Sequence, residues 1–397
     1  MLAASDRRTP LATVPSVLAW PLNRYELAGA FGDLGTDLPL LAALIAVAGL
    51  DPASVLIMFG AFQIVTGLVY RLPMPVQPLK AMAVLVITHQ LSGATLYGGG
   101  LAIGVLMLVL TVTGLLSRLA VVIPVPIVRG IQFGLGLQLA FLAIREFIVP
   151  GNAVGWLLAA VSFGLVILLG GSRRWPAAIA LVGLGTAYAA VFTLDWPALA
   201  TGAGLALPKL HLPSQSDLLT GLVALAVPQL PLSLANSVLA THRLAADLFP
   251  DRAPSIRKLG LTYAMMNLAA PWFGGVPVCH GSGGLAGHHA FGARLGLSVI
   301  IYGGLYVVVG LFLSRAFDIL VAAFPRAVLG VLLFFEGLAL LRRVWGAGLD
   351  ARGWQVTLIT GLCAAALPNG YLIGMGAGWL THAWLMRGAD SGVSAGR

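Results

Sequence analysis

Two segments carry residues whose types and spacing suit the capture of an anion. In residues 73–82, PMPVQPLKAM, three prolines hold the chain extended and release it into a short helix that starts between Val76 and Pro78. The first turn of such a helix presents unpaired N–H groups and a partial charge of roughly half a positive unit, an anion site that needs no cationic side chain. Gln77 adds an amide donor at that terminus, and Lys80 sits one turn in. A lysine inside a membrane segment costs about 2.5–3.5 kcal/mol on insertion scales, so it goes with a partner or a water-filled cavity; the plainer alternative is a lysine that snorkels or pairs with an aspartate.

Residues 273–294, FGGVPVCHGSGGLAGHHAFGAR, repeat the pattern with glycine in place of lysine. Gly281, Gly283 and Gly284 let backbone N–H groups approach a ligand, Ser282 adds a hydroxyl, and His280 is grouped with them as a substrate contact. Glycine also serves close helix packing in membranes, and only the repeated position of the two stretches favours the ligand. Two such termini meeting near the midplane would enclose a compact dianion between two positive dipole ends.

Two further stretches are candidate walls. Residues 29–41 carry Asp33 and Asp37, four apart and so on one helical face, suited to proton or sodium coupling or to balancing Lys80. Residues 227–241 offer Gln229, Ser233 and Asn236, neutral groups that can replace water around an oxyanion or act only as interhelical glue. Arg129 and Arg326 fall at corresponding places and suggest structural or gating roles; Glu336, His89 and Glu26 are the other embedded ionisable residues. Cys279, His280, His288 and His289 make a weak metal set, since adjacent histidines cannot share a helix face, and neither a metal nor a cofactor is expected. Ser282 between glycines, with histidines nearby, leaves an intramembrane serine hydrolase as a remote alternative, one that explains neither Lys80 nor the duplication; the chain is expected not to be an enzyme.

The elements that must position these residues are membrane helices. Of 397 residues 59% are hydrophobic and 9% charged, far from the roughly 25% charged usage of a soluble domain. The net charge of +9 is dispersed between apolar spans without a long basic run or interleaved aromatics, so nucleic acid is not an expected partner. Apolar runs divide the chain into fourteen segments, about 25–48, 53–70, 76–90, 98–117, 123–144, 152–170, 175–193, 217–240, 257–273, 279–290, 295–313, 319–341, 354–369 and 371–386. The third and tenth are too short to span and follow prolines, as discontinuous helices do. The expected fold is therefore an all-α polytopic membrane protein of two inverted halves of seven: a cytosolic tail 1–24, a first repeat 25–193, an extracytoplasmic linker 194–216, a second repeat 217–386 and a cytosolic tail 387–397. With both termini cytoplasmic, most Lys and Arg fall inside and only Arg145, Lys209 and Arg315 outside, as the positive-inside rule requires. No signal peptide, disulfide framework or folded C-terminal domain is expected.

With the motifs in view, PMPVQPLKAM, GGVPVCHGSGGLAGHHAFGAR, GAFGDLGTDLP and PQLPLSLANSV resemble, in order and over most of the chain, the molybdate transporter type 1 family, itself similar to the sulfate permease and nucleobase transporter superfamily. The resemblance implies a core domain of spans 1–4 and 8–11 that holds the substrate and a gate domain of spans 5–7 and 12–14. It implies import of molybdate across the cell (inner) membrane by alternating access, with Gln77, Lys80, Gln229, Asn236, His280, Gly281, Ser282 and Gly283 around the anion. Sulfate permeases usually carry an arginine where Gly284 stands here, and a C-terminal domain; both departures favour molybdate over sulfate, the alternative cargo. A base-binding acid would be expected in the eighth span of a nucleobase carrier, and Gln229 and Asn236 stand there instead. Tungstate is nearly isosteric with molybdate; Asp33 and Asp37 are the candidates for proton coupling, with uniport the alternative; and related transporters commonly dimerise, which makes a homodimer a candidate assembly that the sequence leaves open.

Overall fold

A computed structural model describes residues 22–169, 177–346, 348–367 and 370–393. The expected N-terminal tail to residue 21, the loop 170–176 and the last four residues lie outside the described residues. Helices start where the sequence supplies caps. Asn23 accepts from the N–H groups of Tyr25 and Glu26 and opens α1 (Arg24–Ala30), which a turn joins to α2 (Leu34–Ala48). Asp51 accepts from Ser54 N–H, and Pro52 occupies the first position of α3 (Pro52–Tyr70). The chain then extends through β1 (Gln77–Pro78) into the short α4 (Lys80–His89). The first half continues through α5 (Gly93–Val112), α6 (Leu115–Val122), α7 (Val125–Leu142), α8 (Ala153–Leu169) and α9 (Ala177–Tyr188).

The short α10 (Trp196–Gly202) lies in the expected linker. The eighth span is a single 34-residue helical stretch, Gln215–Leu248, made of α11 (Gln215–Gly221), α12 (Val227–Leu232) and α13 (Thr241–Leu248) joined by wider π-type turns. Then come α14 (Ile256–Ala269), β2 (Val278–Cys279), α15 (Ser282–Ala290), α16 (Leu297–Phe312), α17 (Phe317–Ala323), α18 (Arg326–Trp345), α19 (Ala351–Ala366) and α20 (Gly370–Val393).

The two halves repeat one another in inverted order. α3 packs on α16 and α5 on α14, so each half supplies a helix to the other's pair. β1 and β2 pair antiparallel at the centre, Gln77 opposite Cys279 and Pro78 opposite Val278. α7, α18, α19 and α20 form the second body, which meets the first through α2, α15 and the turn Ser233–Ala240.

Several boundaries differ from expectation. The fourth span is 93–112, not 98–117, because Gly114 takes a left-handed φ of 75° and starts the separate α6. The segment predicted at 319–341 breaks before Pro325, which caps α18, and leaves α17 as its own helix. α6 and α17 are short helices at equivalent points of the two repeats, each ending just before the proline that caps the next helix, Pro124 and Pro325. The eighth span runs past 240 to Leu248, and α20 continues into the predicted C-terminal tail, to Val393.

Candidate functional site

The crossing of the two broken helices is built from backbone pairing and two amide clamps. Gln63 of α3 donates to Val76 O (2.8 Å) and accepts from Val76 N–H (3.1 Å). Asn267 of α14 does the same to Val278, donating to its carbonyl (2.6 Å) and accepting from its N–H (2.9 Å). Each clamp meets both backbone groups of an extended residue that no long sheet could pair, so each half-helix starts at a fixed depth. Leu79 N–H donates to Pro277 O (3.0 Å) across the crossing. Neither clamp stood out in the sequence, although a buried amide one helix upstream of a proline break was the available signal.

α4 starts at Lys80 and α15 at Ser282, both termini inside the protein. Their first-turn N–H groups lie outside the intrahelical ladder. In α4 one of them, that of Met82, is taken by Gln229 Oε1 (3.1 Å). The Lys80 ammonium is buried and has no hydrogen-bond partner among the described residues.

Three fully buried carboxylates surround this point. Asp33 accepts from Gln77 Nε2 through both oxygens (2.6 and 2.8 Å), so the amide donor expected for a ligand is engaged by Asp33, and Gln77 Oε1 is the atom without a partner. Asp37 accepts from Tyr302 (3.3 Å), whose hydroxyl also meets that of Tyr306 (3.0 Å). Glu336, from α18 of the second body, accepts from Thr36 Oγ1 (3.0 Å). Asp37 Oδ1 and Glu336 Oε1 have no partner, and the Lys80 charge is near enough to act on all three acids.

Glycine is what admits them. A Cβ at Gly284 would fall on the Asp33 carboxylate, one at Gly281 on Gln77 Oε1, and one at Gly283 would lie 2.7 Å from Glu336 Oε1. The α15 terminus is thus enclosed by Asp33, Gln77 and Glu336, with no room for a side chain at Gly281, Gly283 or Gly284. Glu336 is the residue the sequence reading underused: it stood among the embedded ionisable residues, but only the fold carries it 300 positions along the chain to Thr36.

The eighth span lies against both half-helices. Gln229 donates to Ser233 (3.2 Å), which meets the Tyr263 hydroxyl (2.7 Å). Asn236 Oδ1 accepts from Ser282 Oγ (2.7 Å), and it can do so because the π-type turn Ser233–Ala240 swings it toward α15. Ser282 therefore pairs with an amide and not with a histidine. His280 is at the crossing but has both ring nitrogens occupied, Nδ1 with Pro75 O (3.1 Å) and Nε2 with Thr262 Oγ1 (2.7 Å). It ties the extended strand to α14, because burial leaves neither nitrogen unpaired. His288 is buried against Gly29 O while His289 faces Phe249, so the two point apart. Arg129 and Arg326 are not equivalent: Arg129 is buried and ion-paired to Asp247, whereas Arg326 is exposed and donates to Glu146 O (3.0 Å).

Residues 25–139 and 221–340 match the family described as molybdate transporter of MFS superfamily. The chain is 34% identical over 401 residues to molybdate transporter 2 of Arabidopsis thaliana, covering 89% of this chain and 85% of that protein. It is 27% identical over 475 residues to molybdate transporter 1 of Chlamydomonas reinhardtii, covering 89% and 90%. Among solved structures it is similar to the transmembrane domain of a cyanobacterial bicarbonate transporter, BicA, with a TM-score of 0.57 at 19% identity over 89% of this chain and 96% of that one. It is also similar to the murine Slc26a9 anion transporter in the inward-facing state, with a TM-score of 0.60 at 12% identity over 93% and 70%. These likenesses establish the fold, a seven-plus-seven inverted repeat with core and gate bodies.

Proposed function

The chain belongs to the molybdate transporter family, and from that premise we propose that it carries molybdate across a membrane, bound where α4 and α15 begin. The observation that carries this reading is the Lys80 ammonium, buried and without a partner beside two half-helix N-termini. A buried ammonium whose N–H groups meet no acceptor is costly even with carboxylates nearby, and a tetrahedral dianion would supply that acceptor while accepting also from the N–H groups of Ser282 and Gly283 and the first N–H groups of α4. Gln77, Gln229, Asn236 and Gly281 then shape the site around the ligand, and His280 fixes the strand they stand on.

Charge balance sharpens the mechanism. Lys80 with Asp33, Asp37 and Glu336 all ionised already carries two excess negative charges, to which molybdate would add two more. Bringing like charges together in a buried site is strongly unfavourable, so substrate is expected to enter with protons on acids. Asp37 and Glu336, each with an unpartnered oxygen, are the groups placed to take them, while Asp33 is held by Gln77. Because Thr36 is on the core body and Glu336 on the gate, protonating Glu336 loosens a contact that core movement must break. Repeats at 25–193 and 217–386, cytoplasmic termini and residence in the cell (inner) membrane complete the reading, supported by the distribution of Lys and Arg.

Uptake of molybdate into proteoliposomes tests it. Competition by tungstate but not by excess sulfate is the expected result; equal competition by sulfate would make the chain a broader oxyanion carrier, and absence of uptake would sink the reading.

A further inference from the structure

A cavity of about 580 Å³ opens between core and gate, lined among others by Arg129 and Arg342 of the gate and by Arg243, Asp247, Ala286 and His289 of the core. It lies beside the C-terminal half of α15, roughly 6–12 Å along the helix from its start at the crossing at 1.5 Å per residue. Three guanidinium groups face one carboxylate. Arg129 is 2% exposed, bonds Gln132 (3.0 Å) and Asp247, and keeps its Nε buried and unpartnered. Arg243 is farther from Asp247, at 3.8 Å, with its side chain 45% exposed.

We propose that this cavity is a second, weaker oxyanion site, a vestibule through which the cargo passes between the crossing and the membrane face on which α15 ends. The proposal rests on the reading of the chain as an oxyanion transporter. Guanidinium forks match the oxygens of a tetrahedral anion, and three against one carboxylate leave the cavity positive. Two features keep the site weak. The C-terminal end of α15 presents its negative dipole end, and Asp247 competes with the anion for Arg129. An anion that displaces Asp247 also releases a tie between gate and core, so occupancy of the vestibule favours the movement that delivers or discharges it.

Equilibrium dialysis of labelled molybdate against the full chain in lipid-free detergent tests this. Two classes of site are expected, and the paired substitution Arg243→Gln with Arg342→Gln, both on exposed side chains, is expected to weaken only the lower-affinity class by about tenfold, as loss of charge-assisted contacts does. Arg129→Lys, which keeps the charge but loses the fork, is expected to weaken the same class. Raised salt is expected to weaken it more than the buried class. A single class in the unsubstituted chain, or a second class indifferent to the arginine substitutions, would overturn the vestibule and leave the central site standing. No binding in either class would overturn both.

Discussion

The two half-helices share a geometry and divide the chemistry. Both begin at the central crossing, both follow an extended residue held by an amide from the preceding helix, and both are about ten residues long. Yet α4 arrives through prolines, carries Lys80 in its first turn and has Met82 N–H capped by Gln229, while α15 arrives through glycines and brings no charge. The two repeats therefore share a position, the helix terminus at the central crossing, and differ in the side chains they bring to it. One terminus contributes a cation. The other contributes backbone and the Ser282 hydroxyl, and the volume left free at Gly281, Gly283 and Gly284 is filled by Gln77, Glu336 and Asp33.

That division can be broken at either end. The largest effect is expected from Lys80→Met, which keeps length and removes charge: a loss of about 3 kcal/mol, on the order of a hundredfold in molybdate affinity. Unchanged affinity in dialysis would move the cation role away from α4. Gly284→Ala comes next, since its methyl group meets the Asp33 carboxylate. Overpacking of about 1–3 kcal/mol at the site is expected to reduce uptake roughly five- to 150-fold, whereas Ala81→Gly in the first turn of α4 should be mild. If the two changes behaved alike, the glycine-lined terminus would not be the tight side.

Glu336→Gln addresses the charge balance. Uptake by the unsubstituted chain is expected to fall as pH rises and the acids lose protons, and the variant should flatten that profile; an unaltered profile would discharge Glu336 from proton uptake. The smallest effect is expected from Asn236→Ala. It leaves the Ser282 hydroxyl without its acceptor and should weaken binding by about 1 kcal/mol, a few-fold in the dialysis constant. A hundredfold loss there would mean that the eighth span, and not Lys80, dominates.

Much of this was legible beforehand because membrane composition leaves few options. Proline breaks, short third and tenth segments and arginine-rich loops led to the inverted repeat and the half-helices. The same apolar uniformity hid the rest. A lipid-facing surface and a protein-facing one read alike in sequence, so no periodicity tells which face of the twelfth span carries Glu336 inward. Gln77 read as a donor to the ligand because its competitor, Asp33, stands 44 residues away. His280 read as a ligand contact because Thr262 and the Pro75 carbonyl, which hold its nitrogens, come from separate segments.

The sequence by itself determined that the chain crosses a membrane, where its helices break, and that a lysine and a run of glycines stand at the two breaks, since each follows from local covalent geometry and the cost of exposed backbone in lipid. Tertiary structure alone decided which polar atoms are consumed by neighbours and which are left over. A hydrogen-bond partner is a matter of distance between segments, and that distance exists only once the two repeats have closed around each other.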